Sequence, residues 1–397
     1  VVVNTPGLQP DNESSYSIRT FQQKWETDEN SLMLAFSGGG TRAAALSYGV
    51  LKELRNTPVP GEGGSKHLLD EVHSISSVSG GSFTSAYYGL HGDGIFEDYE
   101  DVFLRPNVEG ALFRRLLNPL LWFSNTGRTE MAVRYYDKTV FKGATFADLS
   151  KQEGPMIVIN ASDLGYGVRF SFIQEYFSLL CSDLSTFPVA RAVTASSAVP
   201  VLFRPVVVRN YPDCGTEVPD WLKMARTRAA GNPEISMVVE GLETYYDREQ
   251  RQYAHFVDGG LTDNLGLRAL YEIVMIAGGM TEFNKLYKRQ PPRRLVLLSV
   301  NASAEPALAV LAEIAIEDDR WDKANAYLDK ILKINRESVN AQTLLAAIAY
   351  LEEDVEKYTA RQQALAQFSP GNARFYARIA EICGRKYRFD DAVEMAR

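Results

Sequence analysis

Up to about Asn301 the apolar positions fall in short runs joined by glycine-rich or polar links. Beyond it they recur at helical spacing. Leu32–Ser37 reads as a buried strand, followed by a glycine loop and a helix over Arg42–Leu54. Val72–Val78 reads as a second strand, leading through small residues into another helix. Met156–Ser162, Val168–Ile173, Tyr253–Val257 and Leu295–Val300 are further strands, and a helix is expected over Asn264–Ile276. Strands alternating with helices predict an α/β layered fold with a largely parallel sheet. Tyr211–Gln250 is charged and irregular and reads as a surface insertion; residues 1–30 read as a polar, turn-rich extension.

The pattern after Ala302 carries a repeat. Arg320-Trp321-Asp322-Lys323-Ala324 returns as Arg388-Phe389-Asp390-Asp391-Ala392, two periods of 34 residues later. The intermediate register sets Ile331 on Leu365, Ile334 on Phe368, Leu345 on Ile379 and Ala346 on Ala380. A 34-residue helix–turn–helix period is the tetratricopeptide signature, although Tyr358 stands where Ala324 predicts a small residue. The expected division is residues 1–30, an α/β domain at 31–302 and about two and a half helical repeats at 303–397. The pattern stops inside a helix at Arg397, so further repeats, or packing of the tail on the first domain, are expected.

Composition narrows the function. With 45% apolar residues the chain can build a sizeable core. A net charge of −8 argues against a nonspecific grip on nucleic acid, which needs clustered Lys and Arg. No run approaches the ~18 apolar residues of a membrane span. Cys181, Cys214 and Cys383 form no C-x-x-C pair, so no zinc or redox motif is expected. Cys181 and Cys214 are either one disulfide of an exported protein or two thiols. The start at Val1 reads as trimmed. Together these lead us to expect an exported protein of a bacterial envelope, with a cytoplasmic, membrane-visiting enzyme as the alternative.

Three loops carry chemistry. Ser37-Gly38-Gly39-Gly40-Thr41-Arg42 lies between a strand and a helix. Its glycines let backbone N–H groups approach a ligand, and the helix start favours negative charge. It lacks the Gly-Lys-Ser/Thr ending of a P-loop, which leaves a phosphate site or an oxyanion hole. Ser76-Ser77-Val78-Ser79-Gly80-Gly81-Ser82 has the frame of a nucleophile elbow around Ser79, with Ser77 in place of the first glycine. A histidine base is scarce: His67, His73, His91 and His255 are the only histidines. Strand alternation puts His255 and Asp258 on different sides. Asp258-Gly259-Gly260 offers a carboxylate at a strand end, and such a base becomes useful if burial raises its pKa.

Taken in order, these segments resemble the patatin-like phospholipases. Gly38-Gly39-Gly40-Thr41-Arg42 resembles their oxyanion motif, Ser79 their nucleophile and Asp258-Gly259-Gly260 their D-G-G/A motif. Asn264 resembles an asparagine often found after that aspartate. Ala195-Ser196-Ser197-Ala198-x-Pro200-x-x-Phe203-x-Pro205 is similar to a further segment of the family. The resemblance spans roughly residues 32–270. It implies a three-layer α/β/α sandwich and hydrolysis of acyl esters of phospholipids or other lipids by a Ser79–Asp258 dyad without metal. Gly38, Gly39 and Gly40 would hold the oxyanion, supported by Arg42, Gly81, Gly259, Gly260 and Asn264.

Alternatives are an esterase or thioesterase on soluble acyl compounds, or a non-catalytic scaffold whose tail binds a protein or a second copy. Gly110–Ser124, with Leu116, Leu117, Leu120, Leu121, Trp122 and Phe123 beside Arg114 and Arg115, is either an interfacial lid for peripheral membrane contact or a core helix.

Overall fold

The computed structural model describes residues 3–7, 15–24, 30–59, 66–106, 127–212, 214, 218–229, 231–287 and 291–396. The expected lid at Gly110–Ser124 lies outside the described residues. The chain divides into two compact units, Val1–Asn301 and Ala302–Arg397.

The first unit is built on a seven-stranded sheet. Its strands are β1 (Asn30–Phe36), β2 (Val72–Val78), β3 (Met156–Asp163), β4 (Arg169–Ser171), β5 (Val206–Arg209), β6 (Tyr253–Val257) and β7 (Arg294–Val300). The order is β5-β6-β3-β2-β1-β7, with β4 pairing off β3. β3, β2, β1 and β7 run parallel, and β4, β6 and β5 join antiparallel. Helices surround the sheet, giving the α/β/α sandwich. β3 is buried along its whole length, as expected of a central parallel strand. Among the described residues β7 pairs with β1 alone, and its Leu295, Val296, Leu297 and Leu298 are exposed.

Register carries the functional loops to one place. Phe36 of β1 pairs with Ser77 of β2, and Val78 of β2 with Asn160 of β3. Both β1 and β2 therefore end side by side. α1 (Gly40–Asn56) follows β1 after three residues, and α2 (Gly80–His91) follows β2 after one. α3 (Val189–Ser196) ends against β3 and β6.

One expectation needs correction. Tyr211–Gln250 is not a surface insertion. It contains α4 (Asp220–Ala229) and α5 (Pro233–Glu243). Leu222, Ala225, Ile235, Val238, Val239 and Leu242 join the main core. Their spacing is that of one helix face, and Asn232, which caps α5 through Ile235 N–H, followed by Pro233, is a helix-start signal that charged neighbours obscured.

Tyr16, Ile18 and Phe21 are core residues, and the Tyr16 hydroxyl donates to the Ile157 carbonyl and accepts its N–H, each at 2.9 Å. The helix expected at Asn264–Ile276 is present as α7 (Leu267–Ile276); it starts after Gly266, which adopts φ 72°, and a short helical turn, α6 (Gly260–Asp263), precedes it. Cys181 and Cys214 form a disulfide with Cα atoms 5.5 Å apart. No helix among the described residues is long and apolar enough to cross a membrane.

The second unit is all helical: α8 (Ala304–Glu317), α9 (Trp321–Ile334), α10 (Val339–Leu351), α11 (Val355–Phe368), α12 (Ala373–Arg385) and α13 (Phe389–Ala396). Ala324, Leu328, Ile331, Leu345, Leu365 and Ile379 are buried in its core, while Ile334 is exposed. Tyr358 fills its position by packing its ring against Tyr350 and Phe375.

Asp319, Glu353 and Tyr387 recur 34 residues apart, each with φ between 56° and 61°. Each closes the same helix end. Arg320 N–H reaches Ala315 O, Asp354 N–H reaches Ala349 O and Arg388 N–H reaches Cys383 O, at 2.8–2.9 Å. Asp319, Glu353 and Tyr387 donate to the carbonyls three residues back. This is the Schellman arrangement, in which glycine is preferred.

A side chain in the left-handed region costs about 1–2 kcal/mol. Glu353→Gly is therefore expected to stabilise the helical unit by about 1 kcal/mol, seen as slower hydrogen exchange across Ala349–Asp354. Faster exchange would show that the Glu353 side chain contributes more than its backbone strain costs.

Candidate active site

The elbow is built at the end of β2. Ser79 has φ 51° and ψ −121°, a conformation a non-glycine residue adopts only under constraint, at about 1–3 kcal/mol. What constrains it is on both sides. Its N–H donates to Ser196 Oγ at 2.8 Å. Ser196 Oγ in turn donates to the Asn160 carbonyl at 2.6 Å and lies 3.0 Å from Ser82 Oγ. The turn then enters α2 through Gly80 and Gly81. A Cβ on Gly80 would lie 2.0 Å from the Gly40 carbonyl oxygen, and one on Gly81 would lie 2.8 Å from the Ser37 carbonyl oxygen. The glycine loop and the elbow thus touch backbone to backbone.

Asp258 follows β6 and reaches the same point. Ser79 Oγ donates to Asp258 Oδ2 at 3.0 Å, and Gly260 N–H donates to Oδ1 at 2.8 Å. Ser79 and Asp258 are both 8% exposed, so bulk water barely touches either group. Burial raises the Asp258 pKa above the ordinary carboxylate value; the bonds from Gly260 and Ser79 pull the other way without cancelling it. The Asp258 backbone is held by Ala198, whose carbonyl takes the Asp258 N–H at 2.9 Å, and by Ser196, whose carbonyl takes the Gly259 N–H at 3.0 Å. A Cβ on Gly259 would meet the Asn160 carbonyl at 2.5 Å.

Asn264 joins the aspartate loop to the glycine loop. Its carbonyl accepts the Gly38 N–H at 2.9 Å, and its Oδ1 would lie 2.5 Å from a Cβ on Gly38. Gly38 itself would place that Cβ 3.3 Å from Ser79 Cβ. Gly39 (φ 138°) and Gly40 (φ 62°) are exposed and open α1. The first N–H groups of a helix have no acceptor within it. Arg42 is exposed on the first turn of α1.

The remaining serines are structural. Ser76 Oγ donates to Gly266 O at 2.6 Å, and Ser85 Oγ to Ser77 Oγ at 2.6 Å. Ser77 is wholly buried in β2, which is how the elbow accommodates it in place of glycine. His255 is exposed on β6, where Ala254 and Phe256 point inward, and it pairs with Val207 of β5. Among the described residues no three His, Cys, Asp or Glu side chains cluster to hold a metal ion.

Two residues were not singled out from the sequence. Ser196 was visible only as part of a motif without a role. Asn160 gave no signal. Beyond its bonds above, its amide donates to Ser76 Oγ, Ser77 O and Val158 O at 3.0–3.2 Å. Its Oδ1 accepts from Ser171 Oγ at 2.6 Å and from Arg169 Nη1 at 3.2 Å. Arg169 is buried against Glu272 of α7, 2.8 Å away, and Tyr176 Oη, 2.9 Å away.

A family model described as patatin-like phospholipase matches residues 34–271, the stretch that holds β2 to β6, the end of β1, the elbow, the glycine loop and Asp258. The chain belongs to the patatin-like phospholipase family, whose members hydrolyse lipid acyl esters. No curated protein matches the chain.

The raised Asp258 pKa has a thermodynamic consequence. A carboxyl whose pKa is higher folded than unfolded contributes stability below its unfolded pKa, and loses it as pH rises through the folded value. Asp258 thus costs stability at neutral pH. Asp258→Asn is expected to raise the thermal midpoint at pH 7, with the gain vanishing below the carboxylate range. Destabilisation at pH 7 that vanishes below the carboxylate range would mean that Asp258 is held as a favourable anion.

Proposed function

We propose that the chain is a serine carboxylic ester hydrolase acting on lipid acyl esters through a Ser79–Asp258 dyad, without a catalytic histidine. The observation that carries the reading is the 3.0 Å bond from the Ser79 hydroxyl to a carboxylate whose burial makes it a stronger base. Asp258 takes the hydroxyl proton as Ser79 Oγ attacks the ester carbonyl. The carbonyl oxygen becomes an oxyanion facing the N–H groups of Gly39 and Gly40 at the start of α1. Gly38 acts differently from its neighbours: its N–H is committed to Asn264, and its use is the absence of a side chain beside Ser79.

The intermediate collapses as Asp258 returns the proton to the leaving alcohol or lysolipid. Water then gives a proton to Asp258 and attacks the acyl group. The fatty acid leaves and Ser79 regains its hydroxyl proton. Ester lipids lie in membranes, so the reading includes peripheral membrane contact.

We read the helical unit as a tetratricopeptide-like array that binds a protein partner or a second copy. The recurrence of one helix-end geometry at Asp319, Glu353 and Tyr387 supports this.

Hydrolysis of a short-chain p-nitrophenyl ester tests the dyad. Ser79→Ala and Asp258→Asn are each expected to lower kcat/KM by about a thousandfold or more. His255→Ala should stay within about twofold of the parent. If Asp258→Asn keeps its rate and His255→Ala does not, the base is His255 and the dyad is wrong.

A further inference from the structure

A cavity lies at the far end of α7. That helix begins beside the elbow, where the Gly266 carbonyl accepts Ser76 Oγ. Its last turn, with Ile273, Ile276 and Ala277, lines the cavity. Ten helical residues at about 1.5 Å each separate the two ends by about 15 Å. The cavity has a volume of about 370 Å³, and neither Ser79, Asp258 nor any residue bonded to them lines it. That is the small end of the range for ligand sites, about 300–1,000 Å³, and suits one alkyl chain rather than two.

The wall and the charges point to one ligand class. Trp221 and Met224 of α4, with Ile173 and Leu286, continue the apolar surface begun by α7. Among the described residues, three arginines, Arg19, Arg228 and Arg248, line it together with one carboxylate, Glu175. Glu175 Oε1 accepts the Ile18 N–H at 2.8 Å, so this carboxylate is already engaged with the helix Ile18–Lys24. Arg228 is exposed on the last turn of α4 and donates to the Ala277 carbonyl. Arg248 is half-buried, its guanidinium 5.0 Å from the centre of the Tyr246 ring. Guanidinium groups at an apolar cavity match a ligand with an anionic head and a hydrocarbon tail.

We propose that this cavity is a binding site for a single-chain anionic amphiphile, with a carboxylate or phosphate head, separate from the Ser79 site. The inference concerns binding alone and stands whether or not the dyad reading holds.

The test uses the full chain and a diazirine-bearing dodecanoate, with crosslinks mapped by mass spectrometry. Adducts are expected within Trp221–Arg228 and Ile273–Ala277. Unlabelled dodecanoate and dodecyl phosphate should compete, and the stronger competitor identifies the head group. Dodecanol should compete at least tenfold more weakly. Arg228→Gln with Arg248→Gln should weaken dodecanoate binding at least tenfold. Met224→Trp, which fills the cavity from its half-exposed side, should abolish the adducts with the circular dichroism spectrum unchanged. Adducts confined to peptides around Ser79 and Asp258, equal competition by dodecanol, or adducts that persist in Met224→Trp would each overturn the proposal.

Discussion

The site depends on how closely two backbones approach. The glycine loop after β1 lies against the first turn of α2 with no room for a side chain at Gly80, where a Cβ would fall 2.0 Å from the Gly40 carbonyl oxygen. That contact requires β1 and β2 to be parallel neighbours ending in register, and it forces the chain to turn at once after Val78. The positive φ of Ser79 follows from this turn. A serine held there projects its hydroxyl beyond the strand end, and Asp258 meets it from β6, two strands away in the sheet.

The strain of such a turn persists only if its surroundings over-determine it. Here the determinants are polar and buried. The end of α3 holds the Ser79 N–H through the Ser196 hydroxyl, and the Asp258 and Gly259 N–H groups through two carbonyls. Asn160 lies beneath, and Arg169 joins it to Glu272. Two largely desolvated charges are poor contributors to stability when compared with apolar packing. Here every arginine nitrogen has a partner: Glu272, Tyr176, Asn160 and Ser171. The arrangement ties α7 to β3 and β4, and so fixes the two helices and two loops that meet at Ser79 relative to one another.

The helical unit is stabilised differently. Its order comes from a local motif repeated at fixed spacing and from a core of Ala, Leu and Ile. The left-handed residues that end α8, α10 and α12 are aspartate, glutamate and tyrosine rather than glycine. The geometry is kept without its preferred residue, because the hydrogen bonds that close the helix and the packing of the following helix outweigh about 1–2 kcal/mol of backbone cost at each turn.

The strands β1, β2, β3, β6 and β7, the glycine loop, the elbow and the aspartate turn were legible because each is specified by residues adjacent in the chain. Apolar runs and glycines act over a few positions. The 34-residue recurrence was legible for the same reason. Tyr211–Gln250 was misread because abundant charge on the outer faces of α4 and α5 hid an inward apolar face with helical period. The roles of Ser196 and Asn160 could not be read at all. A serine and an asparagine bind whatever the fold sets beside them, and their partners here lie 36, 84 and 117 positions away. Local sequence thus determined which elements form and which residues can do chemistry. Only the sheet, by setting distant strand ends side by side, decided which of those residues meet and that Asp258, not His255, is the buried partner of Ser79.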